Sequence, residues 1–391
     1  MNLPPDALVS FDFHQRTRLV FGAGMLEQLG TIARELQATN VLLVTDAGLR
    51  VAGHCDRAER ILTTAGLGCV IYDHVTENPT SADVERCAQF ARSQKIDLIV
   101  GLGGGSSMDC AKGANFLLTN GGRIHDYRGV GKASLPMLPM IGIPTTSGTG
   151  SEAQSFAVIA DSETHVKMAC GDPKAAFRVA ILDPELTTTM PRSVTAATGI
   201  DAMTHAIESF VTTKRNAISQ MFARQAWELL SESFSRVLLR PDDLDARGRM
   251  QLGAFLAGAA IENSMLGAAH ATANPLTARF GVTHGVAVGL MLPHVIRWNS
   301  VTSADLYRRL NIAAGWDDVS GDEASETLAT GFSEFLRLAD LPTTLTQAVD
   351  QSISSTDLEE MAADAVKQWT GTFNPRTMNA ESFLQLYQRA V

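Results

Sequence analysis

The sequence predicts two successive folding units, an α/β half built on a parallel sheet and an all-helical half. Between Thr17 and Leu182, apolar runs of strand length alternate with amphipathic segments of helix length, the pattern of a parallel sheet with helices on both faces. After Pro191 no strand pattern recurs, and apolar residues return at three- and four-residue spacing, as on one face of a helix. The chain of 391 residues also exceeds the length at which a single core usually stops growing. The expected division is 1–191 and 192–391, with the boundary near Met190 to Ser193, and the cleft between the halves is the expected ligand site.

In chain order, Thr17 to Phe21 (TRLVF) reads as a strand, followed by Gly22-Ala23-Gly24 and a helix through Leu36. Val41 to Val44 and Gly68 to Tyr72 read as strands, with a helix over Ala58 to Thr64 between them. A helix follows from Ser81 to Ser93, with Ser81 as N-cap, and then a strand at Asp97 to Gly101. Beyond the apolar run MIGI, Phe156 to Ala160 and Val166 to Ala169 form a hairpin around DSETH, and Ala176 to Leu182 is a returning strand. In the second half, helices are expected at Ser193 to Val211, Ile218 to Leu238, Asp243 to Glu262, around His270, and at Ser303 to Ala314, Glu323 to Leu338 and Asp357 to Gln368.

Composition narrows the function class. Hydrophobic residues make up 45% and charged residues 19%, enough to bury sizeable cores. A net charge of -10 without a Lys/Arg run argues against nucleic acid or an anionic membrane as partner. Small molecules are the expected ligands. Cys55, Cys69, Cys87, Cys110 and Cys170 are scattered and never in a C-x-x-C pair, which reads as reduced thiols of a cytoplasmic protein. MNLPPDALVSFDF lacks the basic and apolar regions of a signal peptide, and no apolar run reaches the length of a membrane span.

Two kinds of motif carry chemistry. In GIDAMTHAIES, Asp201 and His205 leave the same face of a helix one turn apart. With His270 and His284 from GAAHATANPLTARFGVTHGVAVGLMLPHV they would offer three imidazoles and one carboxylate, a set suited to iron, zinc, nickel or cobalt. The same spacing also suits an Asp–His hydrogen bond on a solvated helix face. The other motif is Gly101 to Asp109 (GLGGGSSMD), between the DLIV strand and a helix carrying Ala111 and Lys112. Its glycines let a phosphate approach the backbone at a helix N-terminus, although a plain glycine-rich turn has the same composition and G-x-G-x-x-G after the first strand is absent. Pro144 to Glu152 (PTTSGTGSE) reads as a polar ligand-contacting loop, and Asp46 as either a ribose acceptor or a helix cap. His294 reads as a core histidine and Trp298 as core or interface. His14, His54, His74, His125 and His165 fall outside any ligand spacing.

Taken together, VFGAG, VTDAG, GLGGGSSMDCAKG, PTTSGTGSE, ILDPEL, TGIDAMTHAIES and HGVAVGLMLPHV, in this order, resemble the iron-dependent (group III) alcohol dehydrogenase family over nearly the whole chain. The resemblance implies a Rossmann-like nucleotide-binding domain, a helical metal-binding domain and the architecture of dehydroquinate synthase. It implies a divalent metal, Fe(II) first and Zn second, on Asp201, His205, His270 and His284. It places Gly103, Gly104, Gly105, Ser106 and Asp109 at the cofactor pyrophosphate, and Thr145, Thr146 and Thr149 near its adenine and nicotinamide. Asp46 matches an acidic position that favours NAD over NADP, and Lys167 is a further cofactor contact or a surface lysine.

The implied activity is a metal-dependent NAD(H) oxidoreductase interconverting a small primary alcohol and its aldehyde by hydride transfer, in a cytoplasmic homo-oligomer. One position departs from many relatives. Asn274 stands where they carry a further histidine, and an amide cannot shuttle a proton at neutral pH. Three other readings are a reductase like maleylacetate reductase, against which the intact quartet argues, a non-redox lyase of the dehydroquinate synthase kind, and a binding protein with a decayed site.

Overall fold

A computed structural model describes residues 10–164 and 166–391. The proposed leader-free N-terminus, up to residue 9, and His165 lie outside the described residues. The chain divides into two compact units, His14–Met190 and a second built on Pro191–Val391, which the segment ending at Phe13 joins through the Phe13–Phe222 ring contact.

The first unit is a parallel sheet of six strands. These are β1 (Arg18–Phe21), β2 (Asn40–Val44), β3 (Gly68–Tyr72), β4 (Leu98–Gly103), β6 (Met140–Pro144) and β9 (Val179–Leu182), in the order β1-β9-β6-β4-β2-β3. Strands β2, β4, β6 and β9 are buried almost throughout, as expected where helices cover both faces. Connecting β2 outward to β3 and then returning past it to β4 reverses the strand order at β2/β4, the place where such sheets bind ligands beyond their carboxyl ends. A small second sheet joins β5 (Gly129–Val130), β8 (Lys167–Gly171) and β7 (Phe156–Ala160), with β7 and β8 the expected antiparallel hairpin.

Helices α1 (Leu29–Glu35), α2 (Ala47–Val51), α3 (His54–Thr64), α4 (Ser81–Arg92) and α5 (Gly105–Asn120) connect the strands. Two local expectations are corrected. Thr80, not Ser81, caps α4: its hydroxyl accepts from the Asp83 amide while the Asp83 carboxylate accepts from the Thr80 amide, a reciprocal pair that needs the acidic residue three positions on. The expected strand from Ala176 begins only at Val179, because Pro173–Ala175 forms a 3₁₀ turn capped by Asp172.

The second unit has no strand among its described residues. Its helices are α6 (Arg192–Val211), α7 (Ala217–Leu239), α8 (Leu244–Glu262), α9 (Ala268–Phe280), α10 (His284–Ala313), α11 (Asp322–Leu338), α12 (Leu345–Ala348), α13 (Ser355–Val366) and α14 (Ala380–Ala390). The expected helix at Ser303 to Ala314 is the last part of α10, which runs without a break through Pro293. No described helix is long and apolar enough to cross a membrane.

Close packing of α10 on α6 positions the site. A Cβ at Gly285 would lie 2.1 Å from the Ala197 carbonyl oxygen, and one at Gly289 would lie 2.4 Å from Ile200. These glycines, four apart, give α10 a bare face one turn long, and α6 fills it. That contact delivers His284, the first residue of α10, beside Asp201 on α6.

Candidate metal centre and cofactor loops

Asp201 and His205 both occupy the middle of α6, where they are 5% exposed. The alternative of a solvated Asp–His pair is thereby excluded. His270 comes from the first turn of α9 and is 4% exposed, and His284 opens α10. The Nε2 atoms of His205, His270 and His284 lie 3.4, 3.5 and 3.9 Å from one atom, Asp201 Oδ1. Ligating atoms of Asp201, His270 and His284 fall within 4.8 Å of one another, and the His205 and His270 rings stack at 4.8 Å between centroids.

These donors fit a divalent cation. Asp201 Oδ1 and His270 Nε2 are buried without a hydrogen-bond partner, a costly arrangement unless something else satisfies them. The neighbourhood also favours positive charge. Burial works against ionising Asp201, yet the three surrounding imidazoles, His205 first, hold its carboxyl well below the usual carboxylate range. Burial opposes a charge on His270, but the neighbouring carboxylates of Asp201 and Glu208 raise its pKa to about 9. Three imidazoles and one carboxylate are the donors of a first-row metal.

Glu208 was not singled out from the sequence. Its Oε2 lies 2.6 Å from His270 Nδ1, and its Oε1 accepts from the Ala269 amide at 2.7 Å. The signal was available, since Glu208 follows Asp201 by seven residues and His205 by three, which places it on the same side of the helix. Asn274, one turn beyond His270 on α9, is half-buried and donates through Nδ2 to Gln368 Oε1 at 3.0 Å. Nothing in the sequence pattern pointed to Gln368.

In the first unit, the loops predicted to hold a cofactor do meet. They leave the neighbouring strands β4 and β6, where Gly103 pairs with Pro144, and the Thr145 amide donates to the Gly103 carbonyl at 3.0 Å. A Cβ on Gly105 would lie 2.7 Å from Thr149 Cγ2, and one on Gly104 would lie 3.3 Å from Thr146 Cγ2. Gly103 has φ +147° and would collide with Ser107 if it carried a side chain. Gly104 caps α5 with no side-chain hydrogen bond, so the first-turn amides remain for an anion. Ser106 Oγ accepts from the Asn78 amide.

Beneath this crossing, Lys112 is fully buried and donates to Ser151 O, Ser151 Oγ and Phe156 O at 2.7, 2.8 and 2.7 Å. Both oxygens of Asp109 are occupied, Oδ1 by the Ser151 hydroxyl at 2.7 Å and Oδ2 by the Val158 amide at 3.2 Å. Burial raises the Asp109 pKa against the pull of Lys112, Ser151, Val158 and Lys167. Asp109 therefore braces the two loops, and Lys167 is close enough to act on its charge. Gln154 belongs to the same brace, its amide donating to Thr149 O and Gly150 O at 2.9 and 3.2 Å. Asp46 Oδ1 accepts from the Leu49 amide and caps α2, the helix-cap alternative of the sequence reading. Among the residues set aside, His125 pairs with Asp161 at 2.6 Å, Trp298 is buried, and His294 is half-buried, with burial lowering its pKa to about 4.

The comparisons follow the same division. Residues 16–184 match the family described as iron-containing alcohol dehydrogenase, and residues 195–391 match the C-terminal region of the Fe-containing alcohol dehydrogenase family. The chain belongs to the iron-containing alcohol dehydrogenase family. It is 31% identical to the NAD-dependent methanol dehydrogenase of Bacillus methanolicus, covering 95% of this chain and 97% of the relative. It is also 31% identical to the 1,3-propanediol dehydrogenase of Klebsiella pneumoniae, over 97% and 98% of the two chains. A solved 1,3-propanediol oxidoreductase superposes with a TM-score of 0.94 at 31% identity, covering 98% of this chain and all of that one. The expected family, fold class and dehydrogenase activity all stand.

Proposed function

We propose that Asp201, His205, His270 and His284 jointly hold the divalent metal of this dehydrogenase, and that Gly103, Gly104, Gly105, Ser106, Thr145, Thr146 and Thr149 line its NAD(H) site. The observation that carries the metal assignment is the approach of three imidazole Nε2 atoms to the single buried oxygen of Asp201. Fe(II) is the first choice, after the family, and Zn the second. When bound, the metal supplies Lewis-acid polarisation of the substrate oxygen and the nicotinamide supplies the hydride acceptor or donor.

The rest falls to the chain's own residues. The uncapped first turn of α5 would hold the cofactor pyrophosphate, and the threonines of the second loop would lie near its adenine and nicotinamide ends. Asp46, whose Oδ1 caps α2, would use its second oxygen to accept from a ribose hydroxyl and would repel a 2′-phosphate, which favours NAD. The four metal residues keep the reacting oxygen positioned and its surroundings dry. Asn274, held by Gln368, would orient a water or substrate hydroxyl but cannot take up the alcohol proton at neutral pH, which would need another route, a water chain or a hydroxyl of the bound cofactor. The relatives named for methanol and 1,3-propanediol support a small primary alcohol as substrate. The chain acts in the cytoplasm as a homo-oligomer.

Elemental analysis of purified protein, with NADH formation followed over a panel of small alcohols, tests the assignment. Stoichiometric iron or zinc together with net NADH supports it. A metal-loaded protein that releases product without net NADH points instead to a lyase of the dehydroquinate synthase kind. Asn274→His should add a limb near the ordinary histidine pKa of about 6.5 to the pH profile of turnover. An unchanged profile refutes the proton route.

A further inference from the structure

Resting on the metal assignment above, we infer that Glu208 is a positioning residue that fixes both the tautomer of His270 and the start of the helix that carries it. One carboxylate, 3% exposed, does both. Its Oε2 meets His270 Nδ1 at 2.6 Å, and its Oε1 accepts the Ala269 amide at 2.7 Å.

The second contact is required because α9 has no cap of its own. Gly267 precedes it with no side chain to offer, and the orphan first-turn amides are taken from outside: Ala269 by Glu208, and Ala268 by Asn374 Oδ1 at 3.3 Å. A Cβ at Gly267 would lie 2.9 Å from Glu208 Oε1 and 3.2 Å from Asn374 Oδ1. The glycine thus admits both caps. Asn374 is itself locked, exchanging amide hydrogen bonds of 3.0 and 2.8 Å with buried Asn299. A negative charge at a helix N-terminus is also favourable.

The chemical consequence lies at the other ring nitrogen. A carboxylate accepts only, so Nδ1 must donate to it, and in the neutral ring Nε2, 3.5 Å from Asp201 Oδ1, is left with the lone pair that a metal shared with Asp201 would take. Glutamine cannot reproduce this. If its oxygen keeps the Ala269 amide, its NH₂ faces Nδ1 and demands an acceptor there, which moves the ring proton to Nε2 and blocks the ligand. If it flips, its NH₂ meets the Ala269 N–H and the helix loses its cap.

The experiment measures Zn²⁺ affinity of the full-length chain by chelator competition, alongside NAD⁺ binding, in wild type and Glu208→Gln. The expected result is a 10–100-fold weaker Kd for Zn²⁺ with NAD⁺ binding within twofold of wild type. Zinc affinity within threefold of wild type overturns the inference. Joint loss of zinc and NAD⁺ binding also overturns it, because Glu208 would then be a general structural residue. A wild-type chain that binds no Zn²⁺, Co²⁺ or Fe²⁺ sinks the metal assignment itself. A crystal structure of the zinc-loaded wild type gives an independent reading: ligation through Nε2 with Glu208 on Nδ1 supports the role, whereas ligation through Nδ1 refutes it.

Discussion

Replacing Lys112 with methionine tests whether the two cofactor loops are braced from below. Methionine keeps the length and apolar stem but removes the ammonium that joins Ser151 O, Ser151 Oγ and Phe156 O. Two buried carbonyls then lose a charged donor, at about 1.5–3 kcal/mol for each such hydrogen bond, although Ser151 O keeps the Gln154 amide at 3.1 Å. The Asp109 carboxylate, 3.9 Å from Nζ, also loses its countercharge, and breaking one side of a buried pair costs about 3–5 kcal/mol. Two effects offset this: no ammonium has to be desolvated, and Asp109, whose pKa burial already raises, can take up a proton. A net local loss of about 3 kcal/mol is expected, which corresponds to roughly 100-fold faster opening. Hydrogen exchange read by mass spectrometry on peptides spanning Ser151 to Val158 measures it directly, since the Val158 amide is bonded to Asp109 Oδ2. Lys112→Met with Asp109→Asn should be less affected than the two single variants added together. Exchange within threefold of wild type, or strict additivity in the double variant, refutes the brace.

Two further outcomes follow from the same unit. Gly105→Ala places a methyl 2.7 Å from Thr149 Cγ2 and must push the loops apart, so the Kd for NAD⁺ should rise at least about tenfold, roughly 1.4 kcal/mol; calorimetric titration giving an unchanged Kd counts against the shared cofactor site. Glu152 is buried, and burial raises its pKa from 4.5 to about 7, against its own backbone hydrogen bond and Lys112. The folded state then holds a proton that the unfolded state has released, so stability falls as pH rises from about 4.5 to 7, by on the order of 3 kcal/mol in total. Glu152→Gln should remove that slope in urea unfolding followed across the interval; a slope equal to wild type excludes Glu152 as its source.

Much of this protein was legible in its sequence because the signals are local. Strand runs such as VLLV and GCVIY have a period and length that need no partner to be recognised, and Gly103 to Ser106 sits between a strand and a helix in a way that already implies exposed amides. Spacing also placed Asp201 and His205 on one helix face. The four candidate metal ligands and both candidate cofactor loops could be named, although their proposed roles came from the resemblance rather than from periodicity.

Tertiary structure decided what depends on residues far apart in the chain. Spacing within α6 cannot say whether Asp201 faces water or a buried cluster; the docking of α10 through Gly285 and Gly289 decides it, because only glycine lets the helices come close enough to bring His284 to Asp201. The tautomer of His270 rests on Glu208, 62 residues away in the chain, and the orientation of Asn274 rests on Gln368, 94 residues away. Periodicity is a property of neighbours along the chain, whereas the hydrogen-bond partner that fixes a buried imidazole or amide is chosen by packing.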